Sequence, residues 1–226
     1  MLTPNDYLAR GWEVVPCFLV NDLDKDLFMQ IENHPESPGK SSWGTRNILY
    51  SFILSMRPKL ILEIGAHIGS ASIIMGTALK SNKFGTLYAL EPQEHYFKLL
   101  CHFIHQANLD DYVKSLKIFS TDPSLRNYLV EPVDFIFLDA NHSYSSALAD
   151  IRLSAELLSE NGILFLDDVG YPESSEMCSE GKGGVRQALK DFISVNSDCF
   201  KCIFLEHPFW LNPCGMAIVC RQNYSK

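Results

Sequence analysis

From residue 45 onward the chain alternates between two apolar patterns. The runs KLILEI (59–64), GTLYALE (85–91), SLKIF (115–119), VDFIFLD (133–139) and GILFLDD (162–168) are nearly continuous in apolar residues. Between them lie longer stretches in which apolar residues return every three or four positions: GSASIIMGTALKSN, QEHYFKLLCHFIHQAN, DPSLRNYL, SYSSALADIRLSAELLS and GVRQALKDFISV. The first pattern predicts buried strands and the second amphipathic helices. TRNILYSFILSM (45–56) predicts a further helix ahead of the first strand, closed by Pro58. Strands apolar on both sides that alternate with helices predict a parallel sheet covered on both faces. FKCIFLE (200–206) and GMAIVCR (215–221) follow each other with no helix between, which adds an antiparallel edge. The mixed segment before this alternation contains the turn-rich NHPESPGKSS. It predicts a small helical cap over residues 1–44, set against a main domain over 45–226.

The polar positions that interrupt this pattern fall at one place in each unit. Glu63, Glu91, Asp139, Asp167 and Asp168 all stand at or just after the carboxyl end of a predicted strand. In open α/β sheets that rim is where ligands bind. Between the first strand and its helix, LEIGAHIGSAS places Gly65 and Gly69 in a tight turn where a side chain would keep a ligand from the backbone. A nicotinamide loop reads G-x-G-x-x-G, but His67 takes the middle place here. Glu63 would repel a pyrophosphate and suits a ligand that carries an amino group. Glu91 has two readings, a partner for two ribose hydroxyls or an acid favoured at a helix N-terminus beside Pro92. Together with Glu63 and the glycines, the ribose reading is preferred.

Composition narrows the picture. The 226 residues carry a formal charge of −8 with 46% hydrophobic residues, enough for a large core and without the basic stripe of a nucleic-acid binder. The seven cysteines lack framework spacing and read as free thiols, so a reducing, cytoplasmic compartment is expected. Cys199 and Cys202 form a C-x-x-C at the entry to a strand and read as packed thiols. The start MLTPNDYLAR lacks the apolar core of a signal peptide, and no stretch reaches membrane-spanning length, so no membrane partner is expected.

Taken together, LEIGAHIG, ALEP, FIFLDANHSY and GILFLDDV resemble the class I S-adenosylmethionine-dependent methyltransferases. More narrowly they resemble the metal-dependent O-methyltransferases of the catechol and caffeoyl-CoA type. The bacterial family that includes macrocin O-methyltransferase and the cephalosporin hydroxylase-like proteins is closer still. The resemblance spans about residues 45–221. It implies a doubly wound, Rossmann-like, mostly parallel sheet of seven strands. It also implies S-adenosylmethionine as cofactor, Mg²⁺ or another divalent cation, and a small-molecule hydroxyl as acceptor. Under it Glu63, Gly65, Ala66, Gly69 and Ser70 surround the methionine part, Glu91 holds the ribose, and Ser120, Thr121 and Asp122 lie near the adenine. Asp139 adjoins the cofactor and, with Asp167 and Asp168, binds the cation. Three carboxylates with no cysteine nearby independently favour a hard, oxygen-loving ion.

Departures from the family pattern matter. The catechol type has a lysine base three residues after the fourth-strand acid, where this chain has His142. A neutral imidazole can take a proton from an acidified hydroxyl, so His142 and Asp139 are the expected catalytic residues, with a ligand or supporting role for His142 as the alternative. The family's fifth-strand Asn is Asp168, and its usual serine falls on Ala71, which leaves Ser70 or Ser72 for the methionine carboxylate. His102 and His105 sit one turn apart on a helix that should cover the sheet, away from the rim. Phe209 and Trp210 either wall the acceptor pocket or form a homodimer contact. GYPESSEMCSEGKGG (170–184) and the cap are the expected specificity elements. A nicotinamide oxidoreductase, a non-catalytic cofactor-binding module and a hydroxylase-like enzyme are the rival functions.

Overall fold

The computed structural model describes residues 24–37, 41–170, 184–205 and 214–222. Among the described residues two helices, α1 (Lys25–Glu32) and α2 (Trp43–Met56), precede the sheet. The chain continues as β1 (Leu60–Ile64), α3 (Ser70–Asn82), β2 (Thr86–Leu90), α4 (Glu94–Gln106), β3 (Val113–Leu116), α5 (Leu125–Tyr128) and β4 (Val133–Leu138). It ends with α6 (Tyr144–Leu157), β5 (Leu158–Asp167), α7 (Gly184–Val195), β6 (Phe200–Leu205) and β7 (Met216–Arg221). The strands form one seven-stranded sheet in the order β3-β2-β1-β4-β5-β7-β6. Neighbours from β3 to β5 are parallel, while β7 runs antiparallel to β5 and β6. The expected α/β architecture with its antiparallel edge is therefore present. The loop holding Phe209 and Trp210, most of 170–184 and the first 23 residues lie outside the described residues.

Successive strand residues face opposite sides, so one apolar run serves two cores. Ile61, Leu87, Phe135 and Phe165 face α1 to α4, where they meet Phe28, Leu49, Ile73 and Leu100. Leu62, Ile136, Leu164 and Leu166 face α6 and α7, where they meet Ile151 and Leu189. On the first face the rings of Phe135 and Phe165 stack at 4.9 Å, and Phe52 of α2 meets Phe165 edge-on.

Two strands depart from their expected bounds. β3 was expected at 115–119 but begins at Val113, because register with β2 pairs Leu87 with Val113. Gly76 of α3 makes room for that residue, since a Cβ there would stand 2.6 Å from Val113 Cγ2. Ile118 and Phe119 consequently leave the sheet toward the rim. β5 begins at Leu158, not at Gly162, and its pairing with β4 shifts register between Val133 and Phe135. Gly162 sits inside this irregularity, where a Cβ would meet the Leu158 side chain at 2.8 Å and the Val133 carbonyl at 2.9 Å.

The two N-terminal helices are joined by a buried ion pair. Arg46 of α2, fully enclosed, binds Glu32 of α1 at 2.6 Å. Its guanidinium lies 4.5 Å from the Trp43 ring and 5.3 Å from the Phe28 ring. Each helix also has its own cap: Asp24 accepts from Asp26 N and Leu27 N, and Ser42 accepts from Thr45 N. The interhelix pair decides how α1 sits, because a guanidinium without its carboxylate is costly in that setting. Glu32→Ala is expected to destabilise the fold by about 3–5 kcal/mol in urea denaturation, with Glu32→Gln intermediate.

Candidate active site

The rim is organised by backbone contacts between neighbouring strand ends. Asp139 N donates to Ile64 O at 3.0 Å, Gly65 N and Ala66 N both donate to Leu90 O, and Glu91 N donates to Leu116 O. Gly65 has φ +94°, and a Cβ on it would stand 2.0 Å from the Asp139 carbonyl oxygen. No other residue fits that place. The carboxylate of Glu91 is fixed by two backbone donors, His67 N on Oε2 and Gln93 N on Oε1, both at 2.9 Å. Each oxygen keeps capacity for a further donor. Burial nonetheless raises its pKa above the usual carboxylate range, with the two backbone bonds opposing.

Glu91 opens onto a cavity of about 800 Å³ that extends to His142. Gly65, Glu91, Ser120, Thr121 and Asp139, all expected around a cofactor, line it. Glu63, Ala66, Gly69 and Ser70 are buried and are not among the lining residues. Asp122 does not line it either; its Oδ1 accepts from Ser124 N at 2.8 Å in the turn leading to α5. Among the lining residues that sequence reading did not assign to a site are His67 and Asp150. The signal for Asp150 was an acid on the apolar face of a helix, since it shares the buried side of α6 with Ala147 and Ile151. His102 and His105 are exposed on α4, as expected.

At the other end of the cavity, Asp139, His142 and Asp168 bring ligand-capable atoms within 4.8 Å of one another. His142 Nε2 lies 2.8 Å from Asp168 Oδ2 and 3.7 Å from Asp139 Oδ1. The nearer contact lacks the alignment of a directed hydrogen bond, so it is an ion pair. Asp168 adopts the left-handed conformation, φ 60°. Asp167, expected as a third carboxylate of this set, is not a member of the group. Its Oδ1 accepts from Asp168 N at 3.1 Å and, more weakly, from Thr45 Oγ1 at 3.4 Å. It does share a crevice of about 10 Å³ with Asp139 and His142.

Charge in this cluster is governed by burial and mutual repulsion. Burial raises the Asp139 carboxyl and the nearby Asp168 charge adds to this, while His142 and Arg46 oppose. Asp167 is held well above the usual range by burial, then by the charges of Asp139 and Asp168. For His142 burial favours the neutral ring, but the two carboxylates outweigh it and lift its pKa to about 10. Close acids that cannot all ionise, beside a nitrogen ligand, form a donor set that suits a divalent cation.

Glu63 is a separate case. It is 1% exposed, accepts from Ser72 Oγ at 2.5 Å on Oε2, and has no partner for Oε1 among the described residues. Burial raises its pKa from 4.5 to about 8, with Ser72 opposing and Asp139 and Glu91 adding. Between these values the folded chain keeps a proton that the unfolded chain has released, so stability falls as pH rises through that window and levels off above it. Glu63→Gln removes the proton. Its stability relative to the parent chain is expected to rise by roughly 3–5 kcal/mol from pH 5 to pH 8.5 in paired urea melts.

Residues 62–169 match a methyltransferase domain family. Catechol O-methyltransferase of Bos taurus is 29% identical over 143 residues, which is 61% of this chain and 51% of the relative. O-methyltransferase hkm8 of Aspergillus hancockii is 24% identical over 137 residues, 60% of this chain and 50% of the relative. The chain thus spans about half the length of the curated relatives it matches. Among solved structures, an O-methyltransferase from Bacillus cereus in complex with SAH superposes with a TM-score of 0.69 at 18% identity, over 94% of this chain and 99% of that one. The SAH-bound methyltransferase PaMTH1 of Podospora anserina superposes at 0.71 and 17%, over 99% of both chains. At such identities these two speak for the fold alone. Among the described residues no helix is long and apolar enough to cross a membrane. By its domain match over residues 62–169, its catechol relatives and its order of strand-end motifs, the chain is similar to the class I S-adenosylmethionine-dependent O-methyltransferases of the catechol and caffeoyl-CoA type.

Proposed function

We propose that the chain binds S-adenosylmethionine in the 800 Å³ cavity and methylates a hydroxyl of a small molecule beside a divalent cation. The observation that carries this reading is the cavity itself. It joins Glu91, the bare backbone of Gly65, and the pair Asp139 and His142 in one continuous space. S-adenosylmethionine supplies an activated methyl group on a sulfonium. Glu91, held by two backbone donors, accepts from the ribose hydroxyls. Glu63 Oε1 and Ser70 Oγ do not line the cavity, but both are buried without partners among the described residues and are polar atoms that suit the ammonium and carboxylate of the methionine part.

The donor set fits a cation. Asp139 and Asp168 would hold it, with Asp167 on the crevice it shares with Asp139 and His142. A cation there would supply positive charge that acidifies an acceptor hydroxyl. His142 lines the cavity as Asp139 does, whereas Asp167 and Asp168 do not. With a cation drawing on the charge of Asp139 and Asp168, which otherwise keep the ring protonated, His142 would be the side chain placed to accept the hydroxyl proton, and the fold contributes chiefly the alignment of donor and acceptor.

Calorimetry with SAH and with NAD, each with and without Mg²⁺, tests the cofactor assignment. Saturable binding of SAH supports it, and binding of NAD alone overturns it. Glu91→Ala, in protein that remains folded, is expected to weaken SAH by about 1.5–3 kcal/mol. Turnover is then read by transfer of a labelled methyl group to a panel of catechols and other small hydroxyl compounds. His142→Ala is expected to lower kcat by roughly 10²–10⁴-fold and to leave SAH affinity unchanged. Loss of Mg²⁺ binding in that variant would make His142 a ligand instead.

A further inference from the structure

The end of the cavity beyond Glu91 holds a polar pair for which methyl transfer has no use. Asp150 of α6 is 6% exposed yet lines the cavity, and its Oδ1 accepts from Ser120 Oγ at 2.5 Å. Ser120 belongs to the segment after β3, so this bond ties α6 to the outermost parallel strand of the sheet. The carboxyl is kept there against a desolvation cost, since burial raises its pKa and only Ser120 opposes. On the buried face of a helix an apolar side chain would cost less. Beside the pair, Phe119 also lines the cavity and is 66% exposed. An aromatic face next to one acceptor suits a flat heteroaromatic ring that presents a donor along its edge.

Sheet order says which part of the cofactor reaches this end. β1 stands between β2 and β4, and β3 lies on the far side of β2. With the ribose on Glu91 at the end of β2 and the methyl group toward Asp139 at the end of β4, the base must extend the other way, over the segment after β3. We infer that Asp150 is a specificity residue whose carboxylate accepts a hydrogen bond from the exocyclic amino group of adenine, held in place by the Ser120 hydroxyl. The inference rests on the cofactor reading above. A carboxylate offers only acceptors, so a base with a carbonyl oxygen at that position would face it acceptor to acceptor. Sites of this kind reject the analogue through an unmet hydrogen bond, not through shape. An Asp150 that merely fastened the loop would affect both bases alike.

The test compares SAH with S-inosylhomocysteine, its deaminated analogue, by calorimetry on the full chain. The parent protein is expected to prefer SAH by about 10–100-fold. Asp150→Asn, whose amide can turn its donor toward a carbonyl, is expected to narrow the preference to within about threefold. Glu91→Ala should weaken both ligands and keep their ratio. If Asp150→Asn does not fold, Ser120→Ala frees the carboxylate and should narrow the ratio in the same direction; an unchanged ratio there counts against the inference. A ratio near one in the parent protein, or an unchanged ratio in a folded Asp150→Asn, overturns it while leaving the cofactor reading standing. No binding of SAH by the parent protein overturns both.

Discussion

The Asp139 carbonyl occupies the space that a side chain on Gly65 would need, and the rim is built around that approach. Asp139 N is bound to Ile64 O, so the end of β4 is clamped to the end of β1. Gly65 N and Ala66 N are bound in turn to Leu90 O at the end of β2. Three strand ends are thereby locked together through one turn that tolerates no side chain. Because of this lock, the acid that fixes one end of the cavity and the acids at the other are set by the backbone and do not wait for a ligand to assemble them.

Much of this was legible in the sequence, for a physical reason. A parallel strand buried on both faces must be apolar throughout, so the polar residue that ends it stands out. That contrast located Glu63, Glu91, Asp139, Asp167 and Asp168 on one rim. It could not tell which way each carboxylate turns. Asp167 and Asp168 are neighbours in sequence, yet one is directed to backbone and Thr45 and the other to His142. The placement of β3 was hidden because Val113 owes its position to the gap left by Gly76, a contact between residues far apart in the chain. Asp150 escaped notice because an acid within a helical pattern reads as a solvated face, and only the packed structure shows that face to be interior.

The N-terminal helices and the site are coupled more closely than a detachable cover would be. Phe28 and Ile31 of α1 belong to the same apolar cluster as Leu49 of α2 and Ile73 of α3. Arg46 ties α1 to α2, and its charge also favours ionised Asp139. Thr45, one residue earlier, reaches Asp167. A single turn of α2 therefore fastens the N-terminal layer and touches the acidic cluster from behind.

Asp168 holds a left-handed backbone at φ 60°, a conformation that asparagine, aspartate and glycine adopt at least cost. The turn thus restricts the residue before any ion does. Asparagine, which the catechol type has at this place, and aspartate have nearly the same shape and differ by one unit of charge. Exchanging one for the other would change the anionic strength of the cluster by a single codon step, without redrawing the loop that carries it.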